Sequence, residues 1–282
     1  MPRAILLRES INAMMQSDLT SDPLFARSLP LIGEDCARRL SDAKTAIFGL
    51  GGVGSFAAEA LARLGVGSFL LVDGDRIDPT NLNRQLYALH STVGELKTEL
   101  AKQRILDINP AAQVTLYSDF VTEEEIDLVL SLQPDTDVII DAVDSVKTKI
   151  ALIVKATNRG TPIFSSMGAG FKIDPTKVKC QDLAKTHTDP LARIMRRELK
   201  AKEIVHLPVV FSDELPRTLE DKVKADSKNN GCRTLSANKA GTEDSNEKSA
   251  APASCSLVPP AFGLALASMV LQLFLDNAAG QD

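Results

Sequence analysis

The sequence predicts an α/β protein with a Rossmann-like, doubly wound and mostly parallel sheet, a short mixed C-terminal extension and a disordered insertion. Short β-rich runs alternate with runs of helical period between residues 44 and 166, which is the pattern of βαβ units. A glycine-rich turn follows the first β-rich run, and an aspartate closes the second. Both features are typical of nucleotide-binding sheets, in which ligands bind at the carboxyl ends of the strands.

The individual elements follow from local pattern. The predicted strands share β-branched or aromatic residues bounded by turn residues, and they are 44–49, 68–73, 113–118, 137–141 and 162–166. The predicted helices share apolar residues at helical spacing, and they are 53–64, 93–108, 123–132 and 145–159. In the second helix the residues near one face, as packing on a sheet requires, are Val93, Leu96, Leu100, Ile105 and Ile108.

The other segments divide the chain into one main domain and its appendages. Residues 1–22 are predicted to be a flexible N-terminal segment, and residues 23–214 the main domain, which ends with strands 178–182 and 207–212 around a helix over 190–201. Residues 215–254 have almost no large apolar side chain and cannot bury enough surface to offset their ordering entropy, which predicts a disordered insertion. Residues 255–282 are predicted to form a helix that packs on the same domain.

The composition excludes several classes of protein. The chain carries 32 basic and 37 acidic residues, a net charge of −5, so contact with a nucleic acid requires a local basic patch. Four widely spaced cysteines exclude a zinc knuckle of Cys-x-x-Cys pairs and a dense disulfide framework, and they favour a reducing compartment.

The expected location is cytoplasmic, with a mitochondrial or membrane-associated location as the alternative. Residues 256–275 carry no charge and meet the length rule for a membrane span. Prolines near their start, flanks without basic anchors and many small residues favour a buried helix instead.

The turn after the first strand reads Gly49-Leu50-Gly51-Gly52-Val53-Gly54 and leads into a helix. Glycines let the backbone approach a phosphate closely, and the free N–H groups of a helix N-terminus bind anions. Asp73 lies nineteen residues after Gly54, at the end of the second strand, where a carboxylate accepts hydrogen bonds from ribose hydroxyls. These residues indicate a nucleotide or a dinucleotide, and an NAD(P)-dependent oxidoreductase stays open on this evidence.

Further polar residues favour a triphosphate. Asn81, Arg84 and Lys97 follow Asp73 along the chain and suit a ligand whose charge of about −4 needs more neutralisation than one glycine loop provides. Asp144 follows the fourth strand, and a carboxylate beside phosphates suits Mg²⁺. A dehydrogenase would leave the two cations and Asp144 without a role.

Together these motifs resemble the HesA/MoeB/ThiF adenylating enzymes, relatives of the ubiquitin-activating enzymes, over about residues 25–213 and 256–275. The resemblance implies that 23–214 is an adenylating domain, that the protein is a homodimer, and that ATP and Mg²⁺ convert a carboxylate into an acyl-adenylate. The residues that it implies for nucleotide binding are Gly49, Gly51, Gly52, Gly54, Asp73, Asp75, Asn81, Arg84, Lys97, Asp144 and Ser145. It implies catalytic roles for Arg84, Lys97 and Asp144, the last as metal ligand, and for Arg27, which would reach the partner subunit's ATP site.

Within that family, four strings resemble the branch that dehydrates threonylcarbamoyladenosine in tRNA, and they are 166–170 (Ser-Met-Gly-Ala-Gly), 173–176, 182–186 and 189–192. The resemblance implies ATP-dependent cyclisation of N6-threonylcarbamoyladenosine through an acyl-adenylate, with release of AMP and pyrophosphate. The alternative is adenylation of the C-terminus of a ubiquitin-like or sulfur-carrier partner, and a non-catalytic ATP-binding scaffold also stays open. A catalytic thiol is not expected at Cys180, because its surroundings predict a strand and relatives need no cysteine there.

A basic segment supplies the local patch that a tRNA substrate requires. Residues 172–202 contain nine Lys and Arg against four Asp and Glu. The predicted tRNA-binding residues are Lys185 and a helical stripe of Arg193, Arg196, Arg197 and Lys200, spaced to meet a phosphate backbone. A solvated helix face is the alternative interpretation.

Overall fold

The structure, a computed structural model, describes residues 22–217 and 253–279. The strands are β1 (Lys44–Phe48), β2 (Ser68–Val72), β3 (Gln113–Tyr117), β4 (Val138–Asp141), β5 (Ile163–Ser166), β6 (Val178–Asp182) and β7 (Pro208–Ser212). The α-helices are α1 (Leu29–Asp42), α2 (Gly54–Arg63), α3 (Lys97–Ile108), α4 (Ile126–Ser131), α5 (Val146–Arg159), α6 (Pro190–Lys200) and α7 (Val258–Ala279). Nearly all of the predicted flexible segment 1–22 and of the predicted insertion 215–254 lies outside the described residues.

The seven strands form one sheet in the order β3-β2-β1-β4-β5-β7-β6. All neighbouring pairs are parallel except β6 and β7. The predicted doubly wound, mostly parallel sheet with a mixed C-terminal extension is therefore confirmed. The direction of winding reverses between β1 and β4, and in such sheets this reversal opens a crevice at the carboxyl ends of the strands.

Helices cover both faces of the sheet, so the central strands are buried on both sides. Ile47 of β1 belongs to a core cluster with residues of α1, α2, α3 and α7, whereas the next residue, Phe48, belongs to a second cluster with residues of α4, α5 and α6. Because successive side chains of a strand point to opposite faces, a doubly covered strand needs a continuous apolar run. The sequence Thr-Ala-Ile-Phe over residues 45–48 shows this pattern, and all four residues are buried.

The structure adds one helix to the sequence prediction and moves the start of another by four residues. Helix α1 was not predicted, although its buried residues, Ile32, Cys36, Ala37 and Leu40, have helical spacing. Helix α3 begins at Lys97 rather than at residue 93, because Gly94 has a φ of +90° and a 3-10 turn occupies His90–Thr92. The later start makes Lys97 the first residue of the helix.

Helix α7 packs closely on α2. A Cβ atom at Gly263 would lie 2.3 Å from the carbonyl oxygen of Val53, so this crossing requires glycine. Among the described helices, only the stretch Val258–Asp276 is long and apolar enough to cross a membrane, and 44% of its most apolar window is buried. A core helix of a soluble protein meets the same criterion.

Candidate functional site

A cavity of about 600 Å³ opens at the carboxyl edge of the sheet, where the loops after β1, β2, β3, β4 and β5 meet. It brings together most of the predicted nucleotide-binding residues, namely Gly49, Gly51, Gly52, Asp73, Asp75, Asn81, Arg84, Lys97, Asp144 and Ser145. Two predicted residues lie elsewhere. Gly54 is buried and does not line the cavity, and Arg27 is exposed in the turn before α1, also outside the lining.

Glycine is required at different positions of the loop after β1 for different structural reasons. Gly49 has a φ of +89°, and a Cβ there would lie 2.6 Å from the carbonyl oxygen of Ala142. A Cβ at Gly54 would lie 1.8 Å from the carbonyl oxygen of Gly49. Glycine is therefore required here so that strand, loop and helix can pack closely. Gly51 and Gly52 line the cavity, and these two leave the backbone accessible to a ligand.

A buried lysine and two aspartates set the charge at one side of the cavity. Lys97 is 4% exposed, and its Nζ donates to Asp75 Oδ2 at 2.5 Å and lies 3.7 Å from Asp73 Oδ1. Asp73 accepts hydrogen bonds from the backbone N–H groups of Leu50 at 2.6 Å and Asp75 at 2.8 Å. Burial raises the pKa of Asp73, and the charge of Lys97 opposes that shift. The lysine is thus held in place before any phosphate arrives.

The segment after β2 presents an arginine and two amides to the cavity. Arg84 Nη1 donates to Thr80 O and to Asn83 Oδ1, both at 2.9 Å. Asn81 Oδ1 accepts from the backbone N–H of Asp78 at 3.1 Å and closes the cap of the 3-10 turn Pro79–Asn81. These contacts fix the backbone that carries both side chains.

Gln85 also lines the cavity, although the sequence prediction did not assign it to the site. It is 8% exposed, and its Oε1 has no hydrogen-bond partner among the described residues. A buried amide oxygen without a partner is costly. The sequence signal that could have assigned Gln85 to the site was its position four residues after Asn81, a predicted site residue.

Asp144 lies at the rim, and the structure gives its carboxylate no partner within the described residues. Ser145, the next residue, caps α5 by accepting a hydrogen bond from the backbone N–H of Thr148. In 22–217 and 253–279, no three His, Cys, Asp or Glu side chains are grouped to hold a metal. A single carboxylate fits Mg²⁺, which takes one or two protein carboxylates and completes its shell with phosphates and water.

Other lining residues come from segments that the sequence prediction did not connect with the site. Phe120, which is 67% exposed, and Val121 follow β3, and Ala169 and Gly170 follow β5. All four residues follow strands of the parallel sheet, so the rule that ligands bind at the carboxyl ends of parallel strands could have assigned them to the site.

The C-terminal end of the predicted insertion reaches the cavity. Ser254 lines it, and the carbonyl oxygen of Ser254 accepts a hydrogen bond from Asn83 Nδ2 at 2.9 Å. Phe171 pairs with both ends, because its N–H donates to Ala253 O and its carbonyl accepts from Arg217 N–H, each at 2.7 Å. Residues 215–217, 253 and 254, at the two ends of the predicted insertion 215–254, thus lie within the described part of the chain.

Comparison with known proteins identifies the family. The family model described as "ThiF family" matches residues 25–279. The chain belongs to the ThiF family. This ThiF-family chain is 41% identical over 254 residues to the tRNA threonylcarbamoyladenosine dehydratase of Bacillus subtilis, covering 90% of this chain and 95% of that protein. The family predicted from the motifs is confirmed.

Solved structures agree with this assignment. The crystal structure of Escherichia coli tRNA N6-threonylcarbamoyladenosine dehydratase, TcdA, in complex with ATP matches the ThiF-family chain with a TM-score of 0.76 and 34% identity, over 92% of this chain and 96% of that one. The complex of the same enzyme with AMP matches with a TM-score of 0.77 and 34% identity, over 94% of this chain and 100% of that one.

The basic helix of this ThiF-family chain is α6, which does not line the cavity. Lys185, Arg193, Arg197 and Lys200 are exposed, and Arg197 pairs with Glu198. Arg196 differs from them, because it is partly buried and its Nη1 donates to the carbonyl oxygen of Thr186 at 2.9 Å. The predicted stripe of four cations thus contains one arginine that is used inside the fold.

Cys180 lies on β6, away from the cavity, with its sulfur 3.9 Å from the carbonyl oxygen of Ala265. Cys180 as a residue is exposed, but its sulfur packs against α7, and this partial desolvation raises the pKa of the thiol and disfavours the nucleophilic thiolate. We therefore expect Cys180→Ala to form AMP from ATP at the wild-type rate in a tRNA-dependent assay. A strict requirement for the thiol would instead indicate a covalent acyl intermediate.

Proposed function

We propose that this chain cyclises N6-threonylcarbamoyladenosine in tRNA through an acyl-adenylate, at the expense of ATP, and releases AMP and pyrophosphate. The observation that carries the proposal is the cavity at the carboxyl edge, which combines a glycine loop, the carboxylate of Asp73 and the two cations Arg84 and Lys97. The proposed substrate is the one that appears in the names of the Bacillus subtilis relative and of the Escherichia coli enzyme solved with ATP or AMP.

The chemistry needs no protein nucleophile. A carboxylate is a poor acyl donor, so its oxygen first attacks the α-phosphorus of ATP and pyrophosphate leaves. The neighbouring ureido group of the same nucleoside then attacks the acyl carbon, AMP leaves, and the ring closes with net loss of water. Because nucleophile and acyl group belong to one nucleoside, their proximity replaces much of what an enzyme thioester would supply.

The residues of the cavity divide this work. In the proposal Asp73 binds the ribose, Gly51 and Gly52 leave the backbone open to the phosphates, and Arg84 and Lys97 stabilise charge on the α-phosphate and on departing pyrophosphate. Asp144 would hold Mg²⁺, which when bound neutralises phosphate charge.

We also propose that the protein acts as a homodimer in the cytoplasm. Large apolar side chains are exposed on α1 and around the start of α7: Leu31 of α1 is 83% exposed, Leu257, just before α7, is 53% exposed, and Leu264 of α7 is 54% exposed. Helices α1 and α7 contact each other, and Arg27 lies two residues before α1. Exposed apolar surface of this kind marks an interaction site. A second copy over α1 and α7 would supply Arg27 in trans, as the family resemblance implies, and would leave α7 without lipid contact.

The exposed cations around α6 are the proposed tRNA surface, with Lys185, Arg193, Arg197 and Lys200 as its members. We expect Arg193→Ala combined with Lys200→Ala to weaken tRNA binding and to reduce the slope of log Kd against log salt by about 2, because each lost phosphate contact removes about one released ion. ATP affinity should not change. An unaltered slope would remove α6 from the RNA interface.

One assay tests the proposed function. Pyrophosphate exchange and AMP formation are measured with purified protein and ATP, adding in turn threonylcarbamoylated tRNA, unmodified tRNA, a ubiquitin-like protein, or NAD with candidate alcohols. We expect AMP only with the modified tRNA. Exchange that depends on the ubiquitin-like protein would support the alternative substrate, and reduction of NAD would contradict adenylation.

A further inference from the structure

A buried ion pair connects the loop after β5 to the basic helix α6. Lys172 and Asp189 are each 2% exposed, and Lys172 Nζ donates to Asp189 Oδ2 at 2.7 Å and to the carbonyl oxygen of Gly168 at 2.5 Å. Asp189 is also the N-cap of α6, since its Oδ1 accepts from the backbone N–H of Ala192 at 2.9 Å. One lysine thus connects the loop after β5 to the first turn of α6.

The loop held by this pair forms one wall of the ATP cavity. Ala169 and Gly170 line the cavity, directly after Gly168. In the part of the chain that the structure describes, the backbone N–H groups of residues 168, 169 and 170 have no hydrogen-bond acceptor. Successive free N–H groups of this kind suit an anion such as a carboxylate. The wall also packs tightly, because a Cβ at Gly168 would lie 3.0 Å from Asp189 Oδ2.

An ion pair is a poor choice for stability alone. Removing both charges from water is expensive, and well-packed apolar residues of similar size often stabilise a core as much or more. The pair does fix geometry, since the lysine must satisfy a carbonyl of the wall and a carboxylate of the helix cap together. The two strings it joins, 166–170 and 189–192, are among those that resemble the tRNA-modifying branch.

We infer that Lys172 and Asp189 are positioning residues, which fix the position of the wall formed by residues 168–170 relative to α6. This fixed position lets RNA bound on α6 place its carboxylate at the α-phosphate of ATP. This inference rests on the proposed function. Neither residue lines the cavity, so they act through the wall and through the helix rather than on the reacting atoms.

The test removes both charges and keeps the helix cap. Lys172→Met combined with Asp189→Asn retains an amide oxygen that caps α6, because asparagine is as good an N-cap as aspartate. We expect kcat with threonylcarbamoylated tRNA to fall by about 100-fold, since small displacements of reacting groups cost that much, while the Kd for ATP and the thermal midpoint stay near those of the wild type. The matched control is Lys155→Met with Asp127→Asn, which removes a half-buried ion pair between α5 and α4, together with the charge that Asp127 presents to Arg159, and should leave kcat unchanged.

A folded double variant with wild-type kcat would overturn the inference, and so would a loss of ATP affinity as large as the loss of kcat. If the double variant does not fold, Gly168→Ala decides, because its Cβ pushes against Asp189 and leaves both charges in place. For that variant we expect about tenfold lower kcat with unchanged ATP affinity. A wild-type kcat for it would overturn the inference, whereas wild-type protein that forms no AMP with the modified tRNA contradicts the proposed function instead.

Discussion

Replacing Lys97 with alanine is expected to lower kcat for AMP formation by about 100-fold or more, the usual cost of losing a preorganised charge in a water-poor site. Lys97 is 4% exposed, so in the proposed mechanism it would stabilise phosphate charge with little competition from water. The loss has a second part. Without the ammonium, Asp73 and Asp75 face the cavity with no cation between them, and these carboxylates repel the triphosphate.

The measurement is AMP release at saturating ATP and modified tRNA, together with the Kd for ATP. Lys102→Ala is the matched control, because Lys102 lies on the same helix, α3, outside the cavity lining, and should turn over at the wild-type rate. Arg84→Ala should lose activity to a similar extent, since Arg84 lines the same cavity from the segment after β2. Normal turnover in both Lys97→Ala and Arg84→Ala would contradict the assignment of the site.

The fold and the centre of the site were predictable because both depend on local order. Strand and helix periods alternate along the chain, and parallel strands bring their carboxyl ends to one edge. Residues that follow different strands, such as Asp73 and Asp144, were therefore expected near each other without any knowledge of tertiary contacts. The structure places both in one cavity lining.

Features that depend on contacts between distant segments were not predictable. Helical spacing placed Arg196 in a cationic stripe, but the carbonyl of Thr186, ten residues away, accepts its hydrogen bond. Composition gave no signal that Asn83, 171 residues earlier, donates a hydrogen bond to the carbonyl oxygen of Ser254 at the cavity. In both cases the partner lies outside the segment whose pattern was judged, the predicted helix 190–201 or the predicted insertion 215–254.

Replacing Gly54 with alanine is expected to destabilise the fold by about 3 kcal/mol and to lower Tm by about 10 °C, because overpacking a rigid backbone contact cannot be relieved by a rotamer change. The added Cβ would lie 1.8 Å from the carbonyl oxygen of Gly49, so the loop between β1 and α2 must move. ATP binding should be lost as well, since Gly51 and Gly52 belong to that loop.

Gly51, three residues before Gly54, is the control that separates the packing role of this loop from its role in phosphate access. A Cβ at Gly51 would meet only Gln85 Nε2, at 3.7 Å, which is an ordinary contact, so Gly51→Ala should melt near the wild-type Tm. Because Gly51 lines the cavity, its variant should nevertheless bind ATP more weakly. Thermal melting and ATP titration of the two variants thus test packing and phosphate access separately. Equal Tm values would show that the loop yields at Gly54, and the close approach of strand and helix would then not be what requires glycine there.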